Sequence, residues 1–286
     1  MFKPKSSQIP PATRYQNAAI QYYLGLTDSP YLHYGYWELP KYADELTLGG
    51  LRIAQEAYAA KLLAFIPRGI NTILDVGCGI GGNANYLLER GFTVEGLAPD
   101  AFQQEKFIEN TEGKAPFYLV RFEEFQTNKS YDLILLSESS QYIAAVDIAE
   151  STIRSLKVGG YLLFADMMRS DAKYNQGIFS NCHVVEDIHT ALVNAGFSLV
   201  KTEDISRQIT PTIDLCVENF RIFGMTTAKY IADILKIAFP PLHIILRWAF
   251  NRWLRKLIVE GLEARTIFEK HLCYEIQLWQ FLGKEK

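Results

Sequence analysis

At 286 residues the chain is long enough for one large α/β domain with a filled core. Its 49% apolar and 21% charged residues describe a globular protein rather than a disordered one, and a net charge of −3 offers no basic field for nucleic acid to follow. The four cysteines, Cys78, Cys182, Cys216 and Cys273, lack CxxC spacing, which points to reduced thiols in a cytoplasmic protein and to no metal site.

The opening "MFKPKSSQIPPATRYQ" has no apolar core of signal-peptide length. Residues 12–62, rich in Tyr and helical in pattern, are expected to form an N-terminal helical lid. From 63 to 205 strands and helices alternate. "NTILDV" is a buried strand that enters a glycine turn and the helix "GNANYLLERG"; "FTVEGL", the helix "AFQQEKFIENT", "PFYLV" and "YDLILLS" follow. The helix "AVDIAESTIRSL", the strand "GGYLLFADMM", the helix "VVEDIHTALVNAG" and the strand "FSLVKTED" complete the series. Gly91, Gly159–Gly160 and Gly196 stand where a helix must end before the next strand. This rhythm predicts an α/β, doubly wound, mostly parallel sheet in a single domain spanning 1–286. Residues 206–271 read as a helical cap insertion, and 272–283 as the final strand. The apolar stretch 231–250 contains Asp233, Lys236, His243 and Arg247 and is broken by Pro240–Pro241, so it is not a membrane-crossing helix.

In "DVGCGIGG" (75–82) Gly77, Gly79 and Gly81 follow a strand and precede a helix, where glycine permits a tight turn and a close approach of ligand to backbone. A G-x-G-x-G run alone leaves a dinucleotide oxidoreductase open. With Asp75 and Cys78 the stretch resembles the first motif of the class I S-adenosylmethionine-dependent methyltransferases. The likeness extends over 70–205 and to the Tyr-rich "YYLGLTDSPYLHYGYW" (22–37), similar to the lid of small-molecule and lipid methyltransferases. It implies a Rossmann-like, seven-stranded methyltransferase fold and S-adenosylmethionine as cofactor, with Asp75, Gly77, Cys78 and Gly79 at its binding loop.

Strand two of such sheets usually ends in an acid that takes the ribose, but "GLAPDAFQ" (96–103) has Ala98 there. The stretch resembles the G-L-T-L-S-x-x-Q pattern of cyclopropane-fatty-acid synthases, which implies that Gln103 takes the ribose instead. Asp100 is a rival, although as the N-cap its carboxylate is engaged by backbone amides. In "VRFEEF" (120–125) the same branch implies Phe122 against adenine and Glu123 near its amine. Tyr22 and Tyr23 resemble the paired aromatics near the methionine carboxylate.

The chain turns polar after an apolar strand at "LLSESSQYI" (135–143), as sites at the carboxyl ends of parallel strands do. Ser137 is assigned to the cofactor. Glu138 is the first acid/base candidate; the other reading is a carboxylate that hydrogen-bonds the lid backbone or the methionine amino group. The cyclopropane synthases continue with an acid and a histidine where this chain has Gln141 and Tyr142, so the likeness favours plain methyl transfer. His33 is the second base candidate. Tyr34, Tyr36 and Trp37 are placed over the sulfonium or acceptor, or else on the apolar side of a lid helix; Tyr142 and His183 are placed beside the acceptor.

"LHIILRWAFNRWLRKLIVEGLEAR" (242–265) reads as one long amphipathic helix, either a packed cap with a solvated polar stripe or a greasy pocket wall with possible peripheral membrane contact. The expected activity is methyl transfer to a small lipophilic metabolite of specialised metabolism, at O, C or N. An NAD(P)-dependent oxidoreductase and a non-catalytic S-adenosylmethionine-binding protein are the alternatives.

Overall fold

The computed structural model describes residues 11–38 and 46–283; the 39–45 part of the expected lid and both chain ends lie outside them. Two helices come first, α1 (Pro11–Thr27) and α2 (Leu48–Leu63), joined through an extended strap at 28–37 rather than by continuous helix. Thr47 caps α2 by accepting from the Gly50 amide. The strand β1 (Thr72–Val76) is buried from Ile73 onward, as a central parallel strand with helices on both faces must be.

There follow α3 (Gly82–Leu88), β2 (Thr93–Leu97), α4 (Ala101–Asn110), β3 (Phe117–Tyr118), β4 (Tyr131–Ser137) and α5 (Ala145–Ser155). Then come β5 (Leu156–Arg169), α6 (Val185–Asn194) and β6 (Phe197–Asp204). The "PFYLV" strand shrinks to two residues because the Val120 amide turns back to the Tyr118 carbonyl, and a 3-10 turn at Phe122–Glu124 follows. The insertion forms α7 (Ser206–Asn219), a π-turn at Phe220–Gly224, α8 (Met225–Ala238), α9 (Pro240–Leu262) and α10 (Ala264–His271), before β7 (Leu272–Phe281). The single helix expected over 242–265 is therefore α9, started by Pro240–Pro241, and a separate α10. The side chains of Arg247, Phe250, Asn251, Arg252, Trp253, Leu254 and Leu257 lie outside those described.

The seven strands form one sheet in the order β3-β2-β1-β4-β5-β7-β6. The pairs from β3 across to β5 are parallel, whereas β7 runs antiparallel between β5 and β6. Alternate residues feed two apolar layers. Ile73, Leu133 and Leu163 pack with Tyr58 and Leu62 of α2 on one face. Leu74, Ile134 and Phe164 pack with Ile148 of α5 and Ile188 of α6 on the other. α7 and α10 rest on β7, but α8 buries none of its residues and packs chiefly on α9 and the π-turn. Strand order reverses between β1 and β4, so their carboxyl ends open a crevice, and that crevice holds the candidate site.

Candidate active site

At the end of β1 the chain passes through Gly77 with φ of +69°, and a Cβ there would stand 2.3 Å from that of Ser139. Only glycine allows this turn to lie against the loop after β4. Ser139 closes the contact by donating its hydroxyl to the Val76 carbonyl at 2.7 Å. The result is a cleft of about 830 Å³ bounded by the β1, β2 and β4 ends, the 121–123 turn, α1 and the strap. All nine residues expected at the cofactor (Tyr22, Asp75, Gly77, Cys78, Gly79, Gln103, Phe122, Glu123 and Ser137) line it.

Each wall has a local cause. Gly96 of β2 lets the Phe107 ring of α4 lie where a Cβ would be, 2.5 Å away. With Phe107 seated on the strand, Gln103 one turn earlier faces the cleft and is buried. Asp100 caps α4, its Oδ1 accepting from the Phe102 and Gln103 amides at 2.8 and 3.0 Å. Its Oδ2 is buried without a partner among the described residues, and so is Oδ2 of Asp75. Burial pushes Asp75 up to about 7. Phe122 is buried at the cleft wall, and its turn is held from α5 by Arg154, whose Nη2 donates to the Glu123 carbonyl at 2.7 Å. Arg121 is exposed at the rim. The sequence carried no sign of the Arg154 contact, which joins residues 31 positions apart.

Glu138 follows β4 in the left-handed region with φ of +53° and lines the cleft. Its Oε1 accepts from the Tyr34 amide and the Tyr274 hydroxyl, both at 2.8 Å. Tyr274 in turn meets the Tyr58 hydroxyl at 2.7 Å, and Tyr58 meets the Ser137 hydroxyl at 3.1 Å. Since Tyr274 donates to Glu138, the proton order runs Ser137 to Tyr58 to Tyr274 to Glu138. Neither tyrosine is a candidate in the sequence; the alternation of "CYEIQLWQFLG" (273–283) places Tyr274 only on one face of the final strand with Ile276, Leu278 and Gln280. Burial pushes Glu138 up to about 8, aided by the nearby Asp166 carboxylate and opposed by the Tyr34 and Tyr274 bonds. Asp166 holds the loop beyond, accepting from the Ser140 amide and hydroxyl at 3.0 and 2.6 Å.

His33 lines the cleft but has both ring nitrogens occupied, Nδ1 by the Tyr34 carbonyl at 2.7 Å and Nε2 by Asn83 at 3.1 Å. Burial lowers it to about 4, so the ring is neutral near pH 7. Of the residues expected beside the acceptor, Tyr142 lines the cleft, whereas Tyr34, Tyr36, Trp37 and His183 do not. The reason is the extended strap, which alternates sides instead of presenting a helix face. Trp37 is buried with Leu51, Ala54 and Leu215, its indole donating to Thr212 of α7 at 2.8 Å. Tyr36 lies under Lys61, and Tyr34 lies edge-on to Tyr274. His183 is tied through Nε2 to the Ser140 carbonyl at 2.9 Å.

A family model described as a methyltransferase domain matches residues 51–208. The methyltransferase GfsG of Streptomyces halstedii is 30% identical over 200 residues, covering 63% of this chain and 70% of that protein. Two solved structures share the fold. Geranyl diphosphate C-methyltransferase from Streptomyces coelicolor, crystallised with S-adenosyl-L-homocysteine, aligns with a TM-score of 0.67 at 18% identity over 95% of this chain and 100% of that chain. The [4+2]-cyclase SpnF aligns with a TM-score of 0.69 at 16% identity over 95% and 96%.

Proposed function

Because this chain belongs to the methyltransferase domain family, we propose that its cleft seats S-adenosylmethionine on the β1–β2 side and a small lipophilic acceptor beside Glu138. The chain is an S-adenosylmethionine-dependent methyltransferase of small molecules. The cofactor presents hydrogen-bond donors in its ammonium, ribose hydroxyls and adenine amine. Buried carboxyl oxygens without partners among the described residues, Asp75 Oδ2 and Asp100 Oδ2, fit such a ligand, whose ammonium would favour the ionised form of Asp75. That pair of orphaned carboxylate oxygens in one cleft is the observation that carries the reading.

When bound, S-adenosylmethionine supplies an electrophilic methyl group on a sulfonium. Asp75 would take the ammonium charge, Gln103 and the free oxygen of Asp100 would take the ribose, Phe122 would stack on the adenine and Glu123 would accept from its amine. Ser137 starts the proton chain that ends at Glu138 and lines the cleft, where it would meet the cofactor. Glu138 accepts the proton of an acidic acceptor group through its second oxygen, for which no donor is present among the described residues. His33, with both nitrogens bound, positions the strap rather than moving a proton. Ile20, Leu32, Ile143, Tyr23 and Tyr142 give the outer cleft an apolar and aromatic wall suited to a lipophilic acceptor. Tyr22 stands exposed at its mouth.

Calorimetric titration tests the cofactor placement. Gln103→Ala and Glu123→Ala should each weaken S-adenosylmethionine binding by about 1–3 kcal/mol, and unchanged affinities would show the placement to be wrong. Heat from NAD(P) with none from S-adenosylmethionine would overturn the whole reading.

A further inference from the structure

The hairpin of α8 and α9 stands apart from the cleft, since none of its described residues lines it. In α8 the apolar residues Tyr230, Ile231, Ile234 and Ile237 recur at helical spacing, yet all are exposed and the helix buries nothing. The apolar band continues around the bend through Phe239, Leu242 and Ile244, and it peaks at Ile237, 82% exposed, and Trp248, 86% exposed. An exposed apolar helix face of this kind marks an interaction site. The hairpin is rooted, because the Phe220 ring of the π-turn lies against both Gly224 and Gly261. From that root α8 extends for roughly 20 Å.

Charge identifies the partner. The hairpin, residues 225–262, holds six basic residues (Lys229, Lys236, Arg247, Arg252, Arg255 and Lys256) against two acids, Asp233 and Glu260, of which Glu260 pairs with Lys256, in a chain whose net charge is −3. Lys229 and Lys236 are exposed on α8 beside the apolar band. Among the described residues no helix is long and apolar enough to cross a membrane. An apolar band flanked by lysines, too polar to span and carrying an exposed tryptophan and tyrosine, has the make-up of an element that lies in a bilayer interface. A second copy of this chain fits poorly, because two-fold pairing would set two equally basic hairpins against each other.

We propose that the α8–α9 hairpin docks this protein on an anionic lipid surface. Ile237, Phe239, Ile244 and Trp248 enter the boundary between headgroups and acyl chains, and Lys229 and Lys236 face the lipid phosphates. The docking is separate from methyl transfer and rests on no assignment within the cleft. Its consequence is that a lipophilic acceptor dissolved in the bilayer is brought to the enzyme's side of the interface.

The test uses the full chain without cofactor or acceptor, sedimented with phosphatidylcholine vesicles and with vesicles in which about a third of the lipid is phosphatidylglycerol. Binding to the anionic vesicles is expected, weakened by salt, with tryptophan fluorescence quenched by brominated acyl chains. The double variants Lys229→Glu/Lys236→Glu and Ile237→Ser/Trp248→Ser should each lower the vesicle partition coefficient at least about tenfold. Their melting temperatures and S-adenosylmethionine affinities should stay at wild-type values, since the substituted side chains are exposed. Absence of binding to anionic vesicles overturns the proposal, as does equal binding by wild type and both variants. Self-association that Ile237→Ser/Trp248→Ser abolishes, without vesicle binding, also overturns it and makes a second copy the occupant.

Discussion

Glu138 pays for its position with backbone strain. A glutamate at φ of +53° is held outside the ordinary regions at a cost of order 1 kcal/mol or more. Its amide is fixed to the Ala165 carbonyl at 2.9 Å, and its Oε1 is fixed by the strap and by Tyr274. The bond to the Tyr34 amide is the lid contact that the sequence left open as a non-catalytic role. Burial raises Glu138 to about 8, so a pH profile tells the two roles apart. If the carboxylate removes the acceptor's proton, kcat/KM must rise with pH as Glu138 ionises, with an apparent midpoint near 8. Glu138→Gln keeps the shape and removes the base, so kcat should fall by about 10²–10⁴ and the rising limb should vanish, while S-adenosylmethionine affinity is retained. A variant with wild-type kcat and an unchanged pH profile would reduce Glu138 to a fastener for the strap.

The strap at 28–37 is the element that closes the site, and Gln55 of α2 holds it. Gln55 is wholly buried; its Oε1 accepts from the Ser29 hydroxyl at 2.7 Å, and its Nε2 donates to the Tyr31 and His33 carbonyls at 3.3 and 2.5 Å and to the Tyr23 hydroxyl at 2.7 Å. Gln55→Leu fills the volume but leaves those groups without partners, so it should destabilise the protein by about 2–4 kcal/mol. Because Tyr31, Leu32 and His33 line the cleft, S-adenosylmethionine affinity should fall as well. Thermal unfolding and titration read the two effects, and a variant unchanged in both would show that the strap is held elsewhere. Nothing near Gln55 in the sequence foretells this role, since its partners lie 22 to 32 positions away. The strands and the glycine loop were legible because their signals are local: apolar runs with period two, glycine at the turns, and Gln103 one helical turn before Phe107. The strap was misread as helix because its aromatics recur closely enough to suit either periodicity. The contacts that decide the matter, Gly35 and Trp37 to Thr212 of α7, span more than 170 residues.

The molecule as a whole gathers Asp75, Glu138 and Asp166 at the carboxyl ends of a buried sheet, and this shapes its stability against pH. Burial raises Glu138 to about 8, Asp75 to about 7 and Asp166 above its ordinary value. These groups bind protons more tightly in the folded state, so the stability they contribute is present below their unfolded pKa and lost as pH rises through the folded values. His33 acts in the opposite sense. Lowered to about 4, it contributes stability above its unfolded value of 6.5 that is lost as pH falls toward 4. Between the ordinary carboxylate range and pH 6.5 the two effects oppose each other, but above pH 6.5 the histidine term is spent and the carboxyls act alone. The unliganded protein should therefore lose about 2 kcal/mol between pH 6.5 and 8, most of it through Glu138, at 1.36 kcal/mol per unit of pKa shift. Denaturant unfolding at several pH values measures this slope, and Glu138→Gln should flatten most of it. A wild-type stability that is level from pH 6.5 to 8 would mean that the cleft solvates its carboxylates, leaving Glu138 ionised at neutral pH with no rising limb near 8 in kcat/KM.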